Sequence, residues 1–234
     1  MKLEYTALSN RGKVRLENQD TIFLPTGWIN EETFETHDLT DSDQKPIFAV
    51  FDGMGGELCG KEASTLAAQT LFALPSDTAF ETLCFEMNDA ICRYMKENDV
   101  KVMGTTAALV RISGETIDYC NIGDSRVYLI DGLNMYRLSK DHTVTMYGDR
   151  KALTQHLGIS PTEMLIEPHT GTVPIKSGST LLLCSDGLTD LVEELEIGKI
   201  IVTTPNQEAA RSLIEEALQR GGIDNISIIL IHFQ

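Results

Sequence analysis

Apolar residues gather in this chain into short continuous runs closed by an aspartate and a glycine. The two clearest are PIFAVFDG, ending at Asp52-Gly53, and TLLLCSDG, ending at Asp186-Gly187. Runs of this length with turn residues after them predict strands buried on both faces. Elsewhere the period is helical. Ala63, Leu66, Ala67 and Leu71 form one stripe, and Phe80, Leu83, Cys84, Met87, Ile91, Tyr94 and Met95 a longer one. Residues 206–219 repeat the pattern with Ala210, Leu213, Ile214, Ala217 and Leu218. Three amphipathic helices are expected there.

The first 24 residues read as strand, glycine-containing turn and second strand, TIFL. From Thr105 to Arg137 the segments TTAALVRI, TIDYCNIG, SRVYLI and MYRL alternate with turns at Ser113-Gly114, Gly123-Asp124 and Asp131-Gly132. This predicts an antiparallel meander. A short helix is expected over DRKALTQHLG, and a last strand over NISIILIHF. Residues 25–46 are polar and acidic and contain the only tryptophan, Trp28, so a hairpin excursion or surface loop is expected. Helices fall in blocks between runs of strands, a pattern of α+β folds with antiparallel sheets, not of a doubly wound parallel sheet.

Composition narrows the class. A chain of 234 residues suits a single domain, residues 1–234, and 42% apolar with 23% charged residues is ordinary for a soluble globular protein. With Lys+Arg 19 against Asp+Glu 35 the formal charge is -16. Such a field repels phosphate backbones and anionic lipid, which argues against nucleic-acid and membrane partners. The five cysteines are odd in number, widely spaced and without a C-x-x-C pair. Reduced thiols in a cytoplasmic protein are therefore expected. The N-terminus has no apolar signal-peptide core.

Candidate chemistry lies in where the aspartates fall. Asp52 and Asp186 close apolar strands, Asp124 sits at a turn between two strands, Asp224 precedes the last strand and Asp20 precedes TIFL. Any one of them is explained by the ordinary use of Asp in turns and caps. Five at strand ends describe a sheet rim of carboxylates, which repel one another unless a cation neutralises them. Oxygen donors without a His or Cys partner point to Mg²⁺ or Mn²⁺. The stretch from Gly55 to Glu62, GGELCGKE, also approaches the phosphate loop G-x-x-x-x-G-K-[ST]. Glu62 stands where Ser or Thr should follow the lysine, and Asp52 would face the phosphates, so the nucleotide reading fails.

The segments RLENQD, VFDGMGG, GTTAALV, NIGDSRVYLI, LSKDHT, LLLCSDGLTDLV and GGIDNISIILI occur in the order and approximate spacing of one family. The chain resembles the PPM (type 2C) metal-dependent Ser/Thr protein phosphatases, in their compact bacterial form, from about Ser9 to the last strand. The resemblance implies a four-layer α/β/β/α sandwich of two antiparallel sheets flanked by helices. It also implies a centre of two, and up to three, Mg²⁺ or Mn²⁺ ions. Asp52 would bridge two of them, with the Gly53 carbonyl on one. Asp20 would act on one ion, while Asp186 and Asp224 would hold the other. Asp124, again with Asp186, matches a weaker third position, with Gln19 and Asp190 as outer contributors. Arg15 matches the arginine that receives substrate phosphate, where a planar bidentate guanidinium suits better than lysine. Two such ions lower the pKa of a shared water so that it can attack phosphorus in line.

The implied substrates are phosphoserine and phosphothreonine in proteins, with a Ser/Thr kinase and its substrates as partners. A catalytically silent phosphoprotein-binding module and a small-molecule phosphoesterase are the alternatives. Three departures stand out: Gln19 replaces a common Glu, Met54 replaces the His of eukaryotic members, and Asn10 stands where Asp is usual. The flap region, 143–157, is also much shorter than in most members.

Overall fold

The computed structural model describes residues 1–55, 59–146 and 151–234. One sheet has six antiparallel strands in the order β11 (Asn134–Arg137), β10 (Arg126–Asp131), β15 (Thr180–Cys184), β16 (Ile226–Phe233), β1 (Lys2–Asn10) and β4 (Thr33–Asp41). The second has the order β14 (His169–Pro174), β9 (Thr116–Ile122), β8 (Ala107–Ser113), β5 (Ile47–Phe51), β2 (Thr21–Leu24) and β3 (Gly27–Ile29). Two short ribbons complete the strands: β6 (Gly53–Met54) with β7 (Gly104–Thr105), and β12 (Thr143–Thr145) with β13 (Lys151–Leu153).

Three apolar layers account for the continuous runs. Along β5, Phe48 and Val50 face the other sheet, where they meet Tyr5, Leu181, Leu183, Ile229 and Ile231. The alternate residues Ile47, Ala49 and Phe51 face α1 (Cys59–Ala73) and α2 (Phe80–Glu97), against Ala63, Ala67, Leu71, Leu83 and Met87. On the far side, Leu182, Cys184, Ile228 and Leu230 turn towards α3 (Asp186–Thr189), α4 (Glu194–Thr203) and α5 (Asn206–Gln219), packing on Leu188, Ile197 and Leu213. Because strand side chains alternate between faces, a central strand between a sheet and a helix layer must be apolar at every position. The result is the α/β/β/α sandwich.

Several expectations change. The four-segment meander is divided: β8 pairs with β9 and β10 with β11, but β9 and β10 lie in different sheets. The Gly123-Asp124 turn therefore carries the chain across the sandwich and does not close a hairpin. Of the two readings of residues 25–46, the hairpin agrees with β3, which turns back on β2, and the surface loop is replaced by β4, which pairs along its whole length with β1 at the edge of the other sheet. Its acidic side chains face solvent because an edge strand is half exposed; charge there also discourages pairing with other chains. The helix expected over DRKALTQHLG is absent from its described part, where Lys151–Leu153 form β13; Asp149 and Arg150 lie outside the described residues. The stretch from Asp186 to residue 205, for which the pattern predicts no helix, forms α3 and α4.

Candidate metal centre

Strand register brings the aspartates together before any side chain is considered. Thr21 pairs with Phe51, Val50 with Ala108 and Ala107 with Ile122. In the other sheet Arg126 pairs with Cys184, and Cys184 with Ile228. Because neighbours are antiparallel, the start of each strand lies beside the end of the next. Asp20 before β2, Asp52 after β5, Asp124 between β9 and β10, Asp186 after β15 and Asp224 before β16 thus all emerge at one end of the sandwich. They meet a cleft of about 880 Å³ whose lining includes Arg15, Gln19, Asp52, Asp124, Asp186 and Asp224. Asp20 lies behind that lining, 1% exposed.

The backbone of Asp52 is fixed on three sides. Its N–H donates to Thr106 Oγ1 (3.1 Å), and its carbonyl accepts from Thr106 N–H (2.9 Å) and Thr105 Oγ1 (2.8 Å). Gly53 then passes so close to the first turn of α1 that a Cβ there would stand 2.1 Å from the Gly60 carbonyl oxygen. A side chain at Gly53 or Gly60 would push the helix off the strand end. Gly60, the second glycine of the phosphate-loop-like stretch, thus serves backbone-to-backbone contact. Asn225 ties the opposite wall. It accepts from Gln19 N–H (2.9 Å) and donates to the carbonyls of Arg11 (2.9 Å) and Glu17 (3.0 Å), which holds the segment bearing Arg15.

The carboxylates repel one another. Burial first, then the neighbouring carboxylates, push Asp186 up to about 8. Asp20 rises to about 7 through burial, although Ser227 and Ser185 oppose the shift. Burial and the acids at 141 and 190 raise Asp124 to about 6, and Asp52 is driven well above the ordinary range by burial and then by Asp20, Asp186, Asp224 and Asp124. Asp20 Oδ2 accepts from Ser185 Oγ (2.9 Å), but Asp20 Oδ1 and Asp186 Oδ1 are buried without any hydrogen-bond partner. Orphaned carboxylate oxygens in a crowd of like charges are costly unless a cation joins them. Among the described residues no three Asp, Glu, His or Cys side chains already enclose a point by themselves. The fit to a hard divalent cation rests on the orphaned oxygens, the shared repulsion and the all-oxygen donor set. Ions of this kind also keep several waters.

Among the described residues, two cations face the cluster. Arg15 donates through Nη2 to Asp224 Oδ2 (2.5 Å), and Lys151 donates through Nζ to Asp190 Oδ1 (2.6 Å). The sequence model of protein phosphatase 2C matches residues 34–220, most of the chain.

The chain belongs to the protein phosphatase 2C family.

It is 32% identical over 251 residues to the serine/threonine phosphatase stp of Listeria innocua, covering 95% of this chain and 93% of that protein. The solved serine/threonine phosphatase PstP of Mycobacterium tuberculosis superposes with a TM-score of 0.81 at 27% identity, covering 100% of both chains. A second PstP structure, its catalytic domain in complex with two manganese ions, gives 0.79 at 26% identity over 99% of each chain.

Within this phosphatase 2C domain every expected site residue lies at the same end of the sandwich. Arg15, Asp52, Gly53, Asp124, Asp186, Asp190 and Asp224 line the cleft with Gln19, whose Nε2 donates to Glu17 Oε1 (3.0 Å). His142 is explained by structure: its Nδ1 accepts from Gly123 N–H (3.1 Å), which anchors the turn bearing Asp124. Sequence reasoning passed over Asn225, Thr106 and Lys151. The first two act by hydrogen bonds to backbone, which leave no spacing signal. Lys151 was hidden by the mistaken helix. In a strand, Lys151 and Leu153 share a face, and both line the cleft.

Proposed function

We propose that this protein is a metal-dependent phosphoprotein phosphatase that removes phosphate from serine and threonine, with residues 1–234 acting as one catalytic domain. The observation that carries the reading is the convergence of buried, unpartnered carboxylate oxygens beside an exposed guanidinium in one cleft. Asp52, the Gly53 carbonyl, Asp186, Asp224 and Asp20 hold two Mg²⁺ or Mn²⁺ ions, with Asp124, Asp190 and Gln19 around them. When bound, such ions neutralise phosphoryl oxygens and bring a water's pKa near neutrality. With Asp224 holding a cation, the Arg15 guanidinium paired with it here would be free to grip two oxygens of the substrate phosphate. Val14, Leu16 and Ile223 present exposed apolar side chains around Arg15 and meet the residues flanking the phosphorylated one.

The protein acts on phosphorylated proteins and opposes a Ser/Thr kinase, sharing that kinase's substrates. We place it in the cytoplasm, a reading supported by five free cysteines, three of them buried. No described helix is long and apolar enough to cross a membrane.

Arg15→Ala tests the phosphate-capture role. A charge-assisted hydrogen bond is worth about 1.5–3 kcal/mol, or roughly 10–100-fold in binding. The variant should therefore raise KM for a phosphothreonine peptide by at least about tenfold, with a smaller fall in kcat. Unchanged kcat/KM on phosphopeptides would remove Arg15 from phosphate capture.

A further inference from the structure

Among the described residues, the cleft holds one positive charge that the proposed reaction does not use. β13 is pinned to β12 through the register Thr143–Leu153, Val144–Ala152 and Thr145–Lys151, which turns Lys151 and Leu153 to the cleft. The Lys151 ammonium lies 2.6 Å from Asp190 Oδ1. It also acts on Asp124 across the same wall, opposing the upward push from burial and from the acids at 141 and 190. Arg126, nearby, is committed elsewhere: it donates to both oxygens of Asp141 and to Tyr128, and pairs with Glu194.

Among the described residues Glu17, Asp52, Asp124, Asp186, Asp190 and Asp224 line the cleft, with Asp20 behind them. A third divalent ion on the Asp124–Asp190 side would have to displace the Lys151 ammonium from Asp190 or sit beside it, like charge against like. We infer that Lys151 occupies the Asp124–Asp190 side of the cleft as a built-in monovalent cation, so that the centre takes two divalent ions and resists a third. This rests on the metal-centre reading above. The ammonium is half exposed and its ion pair is of the weak surface kind, so it weakens a third ion's hold without forbidding it at high concentration.

The test is a Mn²⁺ titration of the intact protein, followed by native mass spectrometry and by the electron paramagnetic resonance of free Mn²⁺. Wild type, Lys151→Met and Lys151→Arg are compared. Wild type and Lys151→Arg should fill two sites and take a third ion only at much higher Mn²⁺. Lys151→Met should fill the same two and bind a third ion at least about ten times more tightly than wild type does. The two shared sites serve as the control that the variant is folded. A third ion bound equally by wild type and Lys151→Met overturns the inference, as does a Lys151→Met protein that stops at two. If no variant binds two ions, the metal-centre reading itself fails and takes this inference with it.

Discussion

Asp186→Asn should lower turnover of a phosphothreonine peptide at saturating Mn²⁺ by at least about 100-fold while the protein stays folded. Residues that only orient a metal ligand typically cost 10–100-fold when replaced, and a direct ligand must cost more. The amide keeps the shape but loses the charge, and Asp186 Oδ1 has no other bonding partner to lose. The fold should survive because the apolar side chains around it, Cys184 and Leu188, pack without the carboxylate. In the metal-free protein the substitution removes one of several mutually repelling charges, so its melting temperature should rise. Full turnover in Asp186→Asn would exclude this residue from the metal centre. A lowered melting temperature would mean that the carboxylate supports the fold.

The metal-free protein should lose stability as pH rises through 6 to 8, and Mn²⁺ should reverse that trend. In the folded chain Asp124, Asp20 and Asp186 are pushed up to about 6, 7 and 8, against an ordinary value of 3.8. Their folded pKa values are raised, so between about pH 4 and 8 the folded chain holds protons that the unfolded chain has released. The stabilisation is complete below the unfolded value and is lost as pH climbs through the folded ones. His142 has the opposite sign: burial lowers its pKa, so its contribution is present above 6.5 and is lost as pH falls. One histidine does not outweigh the carboxylates. With about 2–4 °C per kcal/mol for a chain of this size, the melting temperature in chelator should drop by roughly 5 °C or more from pH 6 to pH 8. Because ions bind the deprotonated carboxylates, added Mn²⁺ should raise it more at pH 8 than at pH 6. A melting temperature in chelator that does not change with pH would contradict the repulsion among these acids.

Sequence made the strands legible wherever burial on both faces left no polar position, as in β5, β15 and β16. It made α1, α2 and α5 legible through their single apolar stripes. It could not show which sheet a strand joins. The segments β9 and β10 look like consecutive arms of a hairpin, and only the packing of Val127 against the inter-sheet core and Tyr128 against the helices separates them. β4 went unseen because its solvent-facing residues are acidic and its pairing with β1 spans a long stretch of sequence. β13 was masked by a three-residue length too short to display a period. In the site, aspartates announced themselves by closing apolar runs. Asn225 and Thr106 work through backbone hydrogen bonds, and Lys151 through a strand face, none of which leaves a pattern in one sequence.

The most direct test of the central claim is phosphate release from a phosphothreonine peptide by the purified protein, measured with Mn²⁺ and then with excess EDTA, beside an Asp52→Asn variant. Steady release with Mn²⁺ that stops with EDTA, returns when Mn²⁺ is restored and is absent in Asp52→Asn is the predicted result. Release that persists in EDTA, or that Asp52→Asn retains, would contradict a metal centre built on these aspartates.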